Sequence, residues 1–329
     1  MTFPKISIVT PSFNQGQYIE QTILSVLDQN YPNLEYIIID GGSKDATVDI
    51  IKKYESRLAY WISEPDKGQT DAINKGFAKC TGEIFNWINS DDYYEPGAFE
   101  KIARLFTDHP KVNVVCGKEW SFEDENPAGK TLNPGSIIKK NIYETIRVGI
   151  MDQPCTFFRK KTIDVSFPLE PSLKYVMDRQ LWWSYLLNYG QGHILQTDEV
   201  FTWFRLHTQS KSIEQAQYFE AEADLLRLSL FRQLVAPPVL EEQLAFNHRP
   251  PLNISWNILI PGSIKVLAAF AAYYAERHYI KDNLKATSKQ MKLVVRWKLA
   301  YMSTTEWKLW IAACLIPAPV TRIIKKLKN

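Results

Sequence analysis

The chain has 329 residues, 45% of them apolar and 13% aromatic, so it is long enough for one large α/β domain with an appendage or for two ordinary domains. The net charge of +3 is uneven, because residues 276–329 hold twelve Lys and Arg against three acidic residues, a charge of +9 that leaves −6 on the first 275. Four widely spaced cysteines without a CxxC pair argue against a disulfide framework or a zinc site and predict reduced thiols.

The N-terminal residues MTFPKISIVT enter a strand pattern without a basic leader, which predicts no signal peptide. The longest apolar windows, residues 264–275 and 309–320, are shorter than the roughly 20 residues that a membrane-spanning helix needs. We therefore expect a cytoplasmic protein that does not cross a bilayer.

Short apolar runs alternate with amphipathic stretches along the first 117 residues. The apolar runs are rich in β-branched and aromatic residues, and we predict strands for ISIVT (6–10), YIIID (36–40), LAYWIS (58–63), EIFNWIN (83–89) and VNVVCG (112–117). We predict helices for residues 17–29, 45–54, 69–79 and 97–106. This alternation is typical of parallel βαβ units, so the sequence predicts an α/β fold with a doubly wound, Rossmann-like, mostly parallel sheet.

The pattern changes further along the chain. Residues 118–212 have a looser periodicity, with strands predicted near 155–159 and 192–204 and a helix near 178–189. Beyond residue 213 the sequence is helical, is interrupted by prolines and ends in basic helices. We therefore predict two domains, with the sheet in residues 1–212 and a helical, basic C-terminal extension in residues 213–329.

Doubly wound sheets bind ligands just beyond the carboxyl ends of their strands, so the strand-to-helix loops are the candidate site. These loops are polar and rich in turn-forming residues, and they read TPSFNQGQ, DGGSKDAT, SEPDKGQT and NSDDYYEPG.

Asp40 ends the second predicted strand within IIIDGGSKDAT. An ionised carboxylate only accepts hydrogen bonds, so at a nucleotide site it favours a base with a ring N–H, such as uracil, thymine or guanine. The same segment also supplies the glycines of a tight turn and Asp45 as a helix cap, so Asp40 is explained as well by a turn.

Asp91 and Asp92 lie side by side at the end of a predicted buried strand. Adjacent carboxylates repel each other, so a divalent metal or a sugar hydroxyl is their natural partner. Mn²⁺ or Mg²⁺, held by one or two carboxylates and by phosphate oxygens, fits this sparse set of ligands. A solvated turn before the helix that starts near Pro96 is the alternative.

The order of these motifs resembles the family 2 glycosyltransferases, which are inverting enzymes of GT-A fold. The resemblance is close over residues 5–110 and looser over residues 150–212, and SEPDKGQTDAINKGFAKCTGEIFNWINSDD is especially similar to bacterial members that build O-antigen and exopolysaccharide chains. It implies a nucleotide-sugar donor, with a UDP-sugar favoured, a glycan or lipid-linked glycan acceptor, and a divalent metal.

The resemblance also implies roles for individual residues. In the family, the first loop packs on the nucleotide and the second carries the carboxylate that reads the base, while the third flanks the donor. In the NSDD segment, which resembles the family's DxD element, the first Asp contacts ribose or sugar hydroxyls and the second holds the metal. The positions that match these donor and metal roles are Pro11, Ser12, Asp40, Asp66, Lys67, Gln69, Asp71, Asp91 and Asp92.

An inverting transfer needs one general base, because the acceptor hydroxyl attacks the anomeric carbon directly. Asp178 in YVMDRQLWW matches the family's Asp before an aromatic-rich helix, so the resemblance implies that it is this base. The alternative is a helix N-cap.

FRLHTQSKS, residues 204–212, resembles the family's closing motif, which implies His207 as a metal or phosphate ligand and Lys211 as a phosphate contact. A structural role for a lone His beside a strand is the alternative. MDQPCTFFRK resembles the acceptor-side segment and implies Asp152 and Gln153, which a turn before a strand also explains.

The C-terminal segment WKLWIAACLIPAPVTRIIKKLKN combines Trp307 and Trp310 with a terminal cluster of Lys and Arg. This composition predicts peripheral binding to an anionic membrane surface, which would suit a lipid-linked acceptor. A helical cap with a solvated charged face is the alternative.

A P-loop NTPase is disfavoured, because the sequence has no GxxxxGK[ST] phosphate loop. A dinucleotide oxidoreductase is disfavoured as well, because no GxGxxG follows the first predicted strand. We expect no nucleic-acid partner, and the sequence leaves the oligomeric state open. A catalytically silent relative that binds a glycan or serves as a membrane scaffold remains the alternative to an enzyme.

Overall fold

The computed structural model describes residues 3–124, 126–207, 216–234, 252–260, 263–281 and 283–298. Lys211 and the tail at residues 300–329, with its predicted membrane contact, lie outside these ranges. Within the described ranges, no helix is both long enough and apolar enough to span a membrane.

The first half of the chain folds into parallel strands that alternate with helices. The strands are β1 (Ile6–Ser12), β2 (Leu34–Asp40), β3 (Tyr60–Ser63) and β4 (Ile84–Trp87). Strand β1 pairs in parallel with β2 on one side and with β4 on the other, and β3 pairs in parallel with β2. The predicted βαβ units are therefore confirmed. Their carboxyl ends lie at one edge of the sheet, as parallel pairing requires.

Three helices connect these strands, a fourth follows them, and each of the four buries one apolar face. They are α1 (Ile19–Leu27), α2 (Thr47–Tyr54), α3 (Gln69–Phe77) and α4 (Ala98–Asp108). All seven residues of β1 are buried, including the polar Ser7, Thr10 and Ser12, as expected for a central strand covered on both faces. Helix α3 packs closely on β1, because a Cβ added at Gly76 would lie 2.4 Å from Val9 Cγ1.

The second half of the chain extends the same sheet with mixed pairing. Its elements are β5 (Tyr93–Tyr94), β6 (Val114–Glu123), β7 (Asn126–Asn133), α5 (Ile142–Val148), β8 (Thr156–Arg159), α6 (Met177–Tyr189) and β9 (Ile194–Leu206). The strand order is β3-β2-β1-β4-β8-β6-β9-β5, with β7 beside β6. Strand β8 is antiparallel to β4 and to β6, whereas β9 is parallel to β6.

Three further helices are α7 (Ala216–Gln233), α8 (Ser263–Ile280) and α9 (Leu284–Lys298). Two compact units divide the chain, one formed by residues 1–138 and 149–223 and the other by residues 139–148 and 224–329. The first unit extends beyond the boundary predicted at 212, and residues 139–148 group with the helical unit although they lie within the predicted sheet domain.

Candidate active site

A cavity of about 890 Å³ lies beside the carboxyl ends of β1 and β4, within the first unit. Residues from several separate loops form its wall, as expected for the ligand-binding edge of a doubly wound sheet. The predicted site residues on this wall are Pro11, Ser12, Asp66, Gln69, Asp91, Asp152, Gln153, Asp178 and His207.

Asp91 and His207 face the cavity as a pair. His207 Nε2 lies 3.0 Å from Asp91 Oδ2, and the imidazole packs on Tyr18 with ring centroids 4.9 Å apart. Adjacent ligands of an octahedral ion at about 2.1 Å are themselves roughly 3 Å apart. The pair therefore has the spacing and the donor atoms to hold Mn²⁺ or Mg²⁺.

Asp92 lies beneath the cavity wall, and only 1% of the residue is exposed. Its carboxylate accepts hydrogen bonds from Arg205 N at 3.0 Å and from Asn89 Nδ2 at 3.3 Å. Burial first, and then the neighbouring charge of Asp91, raise the pKa of Asp92 well above its ordinary value. The metal role of Asp92 stays a prediction, and Asp91 is the carboxylate of the two that reaches the cavity.

Arg205 of β9 holds this acidic loop in place. Its Nε donates to the backbone oxygen of Asp91 at 2.9 Å, and its guanidinium also contacts Asp124 and Gln21. The same guanidinium lies 4.7 Å from the ring centroid of Tyr18. These contacts connect β9 to the loop after β4, so Arg205 fixes the orientation of Asp91 towards the cavity.

Asp40 is fully buried and closes a turn. Its carboxylate accepts hydrogen bonds from Gly42 N at 3.1 Å, from Ser43 N at 2.9 Å and from Ser63 Oγ at 2.6 Å. The side chain lies behind the wall of the cavity rather than on it. The role of Asp40 in binding the base thus stays a prediction, and this geometry does not favour it. The alternative, that Asp40 stabilises a turn, describes its observed contacts.

Asp66 lies on the cavity wall beside Gly41, the residue that follows Asp40. Its Oδ1 accepts a hydrogen bond from Gly68 N at 2.8 Å, and a Cβ at Gly41 would lie 3.0 Å from its Oδ2. Burial raises the pKa of Asp66. On the same wall, Ser12 Oγ is buried without a hydrogen-bond partner among the described residues. A glycine at position 41 therefore leaves room for a carboxylate that faces the cavity beside an available hydroxyl.

The other predicted donor residues at the start of α3 differ in placement. Lys67 is exposed and is not on the cavity wall. Asp71 Oδ2 accepts a hydrogen bond from Lys67 N at 3.2 Å and lies 3.5 Å from Lys75 Nζ. Gln69 does reach the wall, where its Nε2 donates to Asn89 Oδ1 at 2.7 Å. Gln69 thus connects two of the loops, while the contacts of Asp71 stay within its own helix and loop.

Asp178 lies in the first turn of α6 and faces the cavity. The N-cap is Val176, so the alternative of Asp178 as a helix N-cap does not apply. Its Oδ1 accepts a hydrogen bond from Arg179 N at 2.7 Å. Burial raises the pKa of Asp178, which makes its carboxylate a stronger proton acceptor than an exposed Asp.

The family model described as glycosyl transferase family 2 matches residues 7–167. Residues 7–167 therefore form a glycosyl transferase family 2 region. This match covers β1, the loop of Asp66, the adjacent Asp91 and Asp92, and β8, so the predicted assignment to a glycosyltransferase family is confirmed.

Curated relatives of this glycosyltransferase include an uncharacterized glycosyltransferase of Rickettsia typhi, which is 28% identical over 232 residues, 66% of this chain and 70% of the relative. Another is the putative teichuronic acid biosynthesis glycosyltransferase TuaG of Bacillus subtilis, which is 28% identical over 187 residues, 56% of this chain and 72% of TuaG.

Among solved structures, S. aureus TarS superimposes on the glycosyltransferase with a TM-score of 0.60 at 16% identity, over 97% of this chain and 53% of TarS. Residues 1–349 of TarS in complex with UDP-GlcNAc give a TM-score of 0.56 at 16% identity, over 94% of this chain and 90% of that one. These likenesses show the fold, and the predicted α/β GT-A architecture is confirmed.

Gln153 of the glycosyltransferase is only 5% exposed, although it touches the cavity. Its Nε2 donates to Asn86 Oδ1 and to Trp87 O, both at 2.6 Å. These bonds fasten the segment before β8 to β4, so the observed contacts of Gln153 are structural. Its neighbour Asp152 is half-buried and faces the cavity.

The cavity residues of the glycosyltransferase that were not predicted include three with polar side chains that bear on the site, namely Asn89, Glu119 and Arg205. Glu119 had a signal in the sequence, since an acidic residue within the apolar run VVCGKEW must either face solvent or be buried with a function. The position of Asn89 two residues before Asp91 was a weaker signal. Arg205 lies far along the chain from the loop it holds, so no local pattern identifies its partners.

Proposed function

We propose that this chain is an inverting, metal-dependent glycosyltransferase that uses a nucleoside-diphosphate sugar, with a UDP-sugar favoured, and a hydroxyl of a glycan or lipid-linked glycan as acceptor. The observation that carries the proposal is the 3.0 Å pairing of Asp91 with His207 on a cavity that Asp66 and Asp178 also face. A metal-binding pair, a hydrogen-bond acceptor for a base and a general base are the three parts that such a transfer needs.

Asp66 recognises the base of the donor. The side chain of Asp66 lies on the cavity wall beside Gly41, where its carboxylate would accept the ring N–H of uracil. The complex of TarS with UDP-GlcNAc supports the choice of a uridine nucleotide. This assignment moves base recognition from Asp40, whose carboxylate is enclosed by its own turn, to Asp66.

Asp91 and His207 would hold the divalent metal, and Arg205 keeps Asp91 in place. When bound, the metal neutralises the negative charge of the departing diphosphate.

Asp178 is the general base that takes the proton of the acceptor hydroxyl as that oxygen attacks the anomeric carbon. Direct attack inverts the anomeric configuration and needs no protein nucleophile. Burial at the cavity wall raises the pKa of Asp178 and so strengthens it as a proton acceptor.

We place the acceptor in surface polysaccharide synthesis, and TuaG, whose name assigns it to teichuronic acid biosynthesis, supports this choice. Membrane contact through the basic residues 300–329 at the inner face of the cell membrane would bring the enzyme to a lipid-linked acceptor.

The test measures nucleotide release from a panel of UDP-, GDP- and dTDP-sugars with Mn²⁺, with and without a glycan acceptor. We expect the largest release with a UDP-sugar, dependence on metal, and a product of inverted anomeric configuration by NMR. A protein that binds UDP and Mn²⁺ but releases no nucleotide with any donor and acceptor would instead be the catalytically silent relative.

A pair of variants separates the two candidate metal carboxylates. Asp91→Asn removes the partner of His207, so we expect it to weaken Mn²⁺-dependent binding of UDP at least about tenfold. Asp92→Asn keeps an oxygen that accepts from Arg205 N, so we expect a change of less than about threefold. The reverse result in isothermal titration would restore the metal to Asp92.

A further inference from the structure

A second acidic group lies in the cavity and combines Asp152, which the sequence placed on the acceptor side, with Glu119, which has no assigned role. Glu119 of β6 is 4% exposed and lines the cavity, and Asp152 faces it from the loop before β8. Oxygens of the two carboxyls lie within 4.8 Å of each other and of Cys155 Sγ. The transfer described above uses neither Glu119 nor Cys155, so the group calls for its own explanation.

One oxygen of Glu119 is left for a ligand. Oε1 accepts a hydrogen bond from Asn133 Nδ2 at 3.1 Å, whereas Oε2 is buried and has no hydrogen-bond partner among the described residues. A buried carboxylate oxygen without a partner costs free energy, which a bound ligand that donates to it would recover. Glu119 itself lines the cavity in which such a ligand would lie.

The charges around the pair favour a neutral ligand with hydroxyl groups. Two carboxyls in contact cannot both ionise without a cation, so one of them keeps a proton. Burial raises the pKa of both Glu119 and Asp152, and the charge of Asp178 raises that of Asp152 further. The pair then offers one O–H donor beside several acceptor oxygens, which matches a hydroxyl that both donates and accepts.

A metal ion fits this group less well. Cys155 is fully buried and burial raises its pKa well above the ordinary value, so its sulfur is held as a thiol, which is not a metal ligand. Its Sγ lies 3.3 Å from Gly117 O, to which it donates. Only two carboxyls remain, and the Asp91–His207 pair is the stronger candidate for the ion.

We propose that Glu119 and Asp152 together carry one proton, held on one of the two carboxyls, and form a subsite that binds hydroxyl groups of a pyranose ring in the cavity. The inference rests on the proposed function, since a sugar must enter the cavity for the subsite to act. Glu119 and Asp152 line the same cavity as Asp91 and Asp178, so a ring bound to the pair shares that cavity with the acidic loop after β4 and the general base. The ring belongs either to the donor or to the acceptor.

Glu119→Gln and Asp152→Asn test the subsite, because each amide keeps the shape of the acid but removes the pair's proton. Glu123→Gln on the exposed end of the same strand is the matched control. We expect the affinity for UDP with Mn²⁺ to stay within about twofold in all three variants. We expect KM for the bound sugar to rise at least about tenfold in the first two and to stay unchanged in the control.

Two kinetic arms identify the source of the ring. A rise in KM during hydrolysis of the sugar nucleotide without acceptor assigns the subsite to the donor sugar. A rise confined to the acceptor KM at saturating donor assigns it to the acceptor. Either result supports the inference, and unchanged KM values in both arms overturn it. Loss of a second bound Mn²⁺ per chain in Glu119→Gln, measured by equilibrium dialysis, also overturns it in favour of a cation site.

The design keeps this inference separable from the proposed function. If the wild-type protein neither binds UDP nor releases it, the proposed function fails. In that case saturation-transfer NMR with methyl glycosides of glucose, galactose and N-acetylglucosamine tests the subsite alone. Glycoside signals that disappear in Glu119→Gln support the subsite. Signals that persist in Glu119→Gln, or the absence of any signal with the wild-type protein, exclude the subsite. Should Glu119→Gln fail to fold, Asp152→Asn at the half-buried position gives the same comparison.

Discussion

Asp178 has a carboxylate that burial makes basic, and this has opposite consequences for activity and stability. Its folded-state pKa is raised, so the folded protein binds that proton more tightly than the unfolded chain does. At neutral pH the ionised carboxylate is therefore the form that catalysis needs and the form that folding disfavours.

We expect Asp178→Asn to lower kcat by about 10²–10⁴-fold, because the amide cannot accept the acceptor's proton. The same variant should keep UDP affinity and melt at an equal or higher temperature, because it removes a buried charge. Asp49→Asn, at a side chain that is 83% exposed, is the control for both measurements. Near-normal turnover would remove Asp178 from the mechanism.

Gly41 decides where the carboxylate of Asp66 can lie. A methyl group at position 41 would approach Asp66 Oδ2 to 3.0 Å, which forces the carboxylate to move. We expect Gly41→Ala to weaken UDP binding at least about tenfold with little change in melting temperature. Gly192→Ala is the matched control, since a Cβ there meets nothing within 4 Å. Isothermal titration with unchanged UDP affinity would exclude Asp66 as the base-reading residue.

At the scale of elements, α3 can lie close to β1 because Gly76 faces Val9. Alanine favours a helix over glycine by about 1 kcal/mol, but the added Cβ would come within 2.4 Å of Val9 Cγ1. Overpacking in a core costs about 1–3 kcal/mol, so the clash outweighs the gain in helix propensity. Because the loop of Asp66 leads into α3, this packing also positions a wall of the cavity.

We expect Gly76→Ala to lower the free energy of unfolding by about 1–2 kcal/mol in denaturant titration. Val9→Ala on its own destabilises by leaving a cavity, but combined with Gly76→Ala it gives the new methyl group room. The double variant should therefore be more stable than the sum of the two single effects predicts. Strict additivity would show that α3 and β1 do not compete for this space.

For the whole molecule, buried carboxyls divide into two groups with opposite pH dependence. Although burial acts against it, hydrogen bonds from Lys5, Ser7 and Thr81 hold the pKa of Glu35 at about 2, below its ordinary 4.5. That stabilisation is complete above pH 4.5 and is lost as the pH falls towards 2. The cavity carboxyls have raised pKa values, so they destabilise the fold as the pH rises past those values. These are Asp66, Glu119, Asp152 and Asp178.

The melting temperature without metal should therefore be highest on the acidic side of neutrality. We expect it to fall by a few degrees from about pH 6 to pH 8 and to fall again below about pH 4. Calorimetry across this range tests the expectation, and Asp178→Asn with Glu119→Gln should flatten the decline on the alkaline side. A wild-type melting temperature that rises from pH 6 to pH 8 would contradict the assignment of these carboxyls.

The sequence by itself determined the order of strands and helices, because β1 to β4 are short apolar runs whose only stable arrangement with intervening amphipathic helices is a parallel sheet. It also determined that the loops of Pro11, Asp66 and Asp91 meet, since the carboxyl ends of parallel strands share one edge. The second half was harder to predict, because β8 joins β4 and β6 in the antiparallel direction, which no local periodicity encodes.

Only the tertiary structure decided which acid of each candidate pair faces the cavity. Asp92 is drawn beneath the wall by the backbone of Arg205, a residue far along the chain, and this leaves Asp91 exposed to a ligand. Asp40 is enclosed by its own turn and by Ser63, whereas Asp66 faces the cavity beside Gly41. Side-chain direction at these positions depends on contacts between distant segments, so adjacent or similar carboxylates in the sequence acquire different chemistry only in the fold.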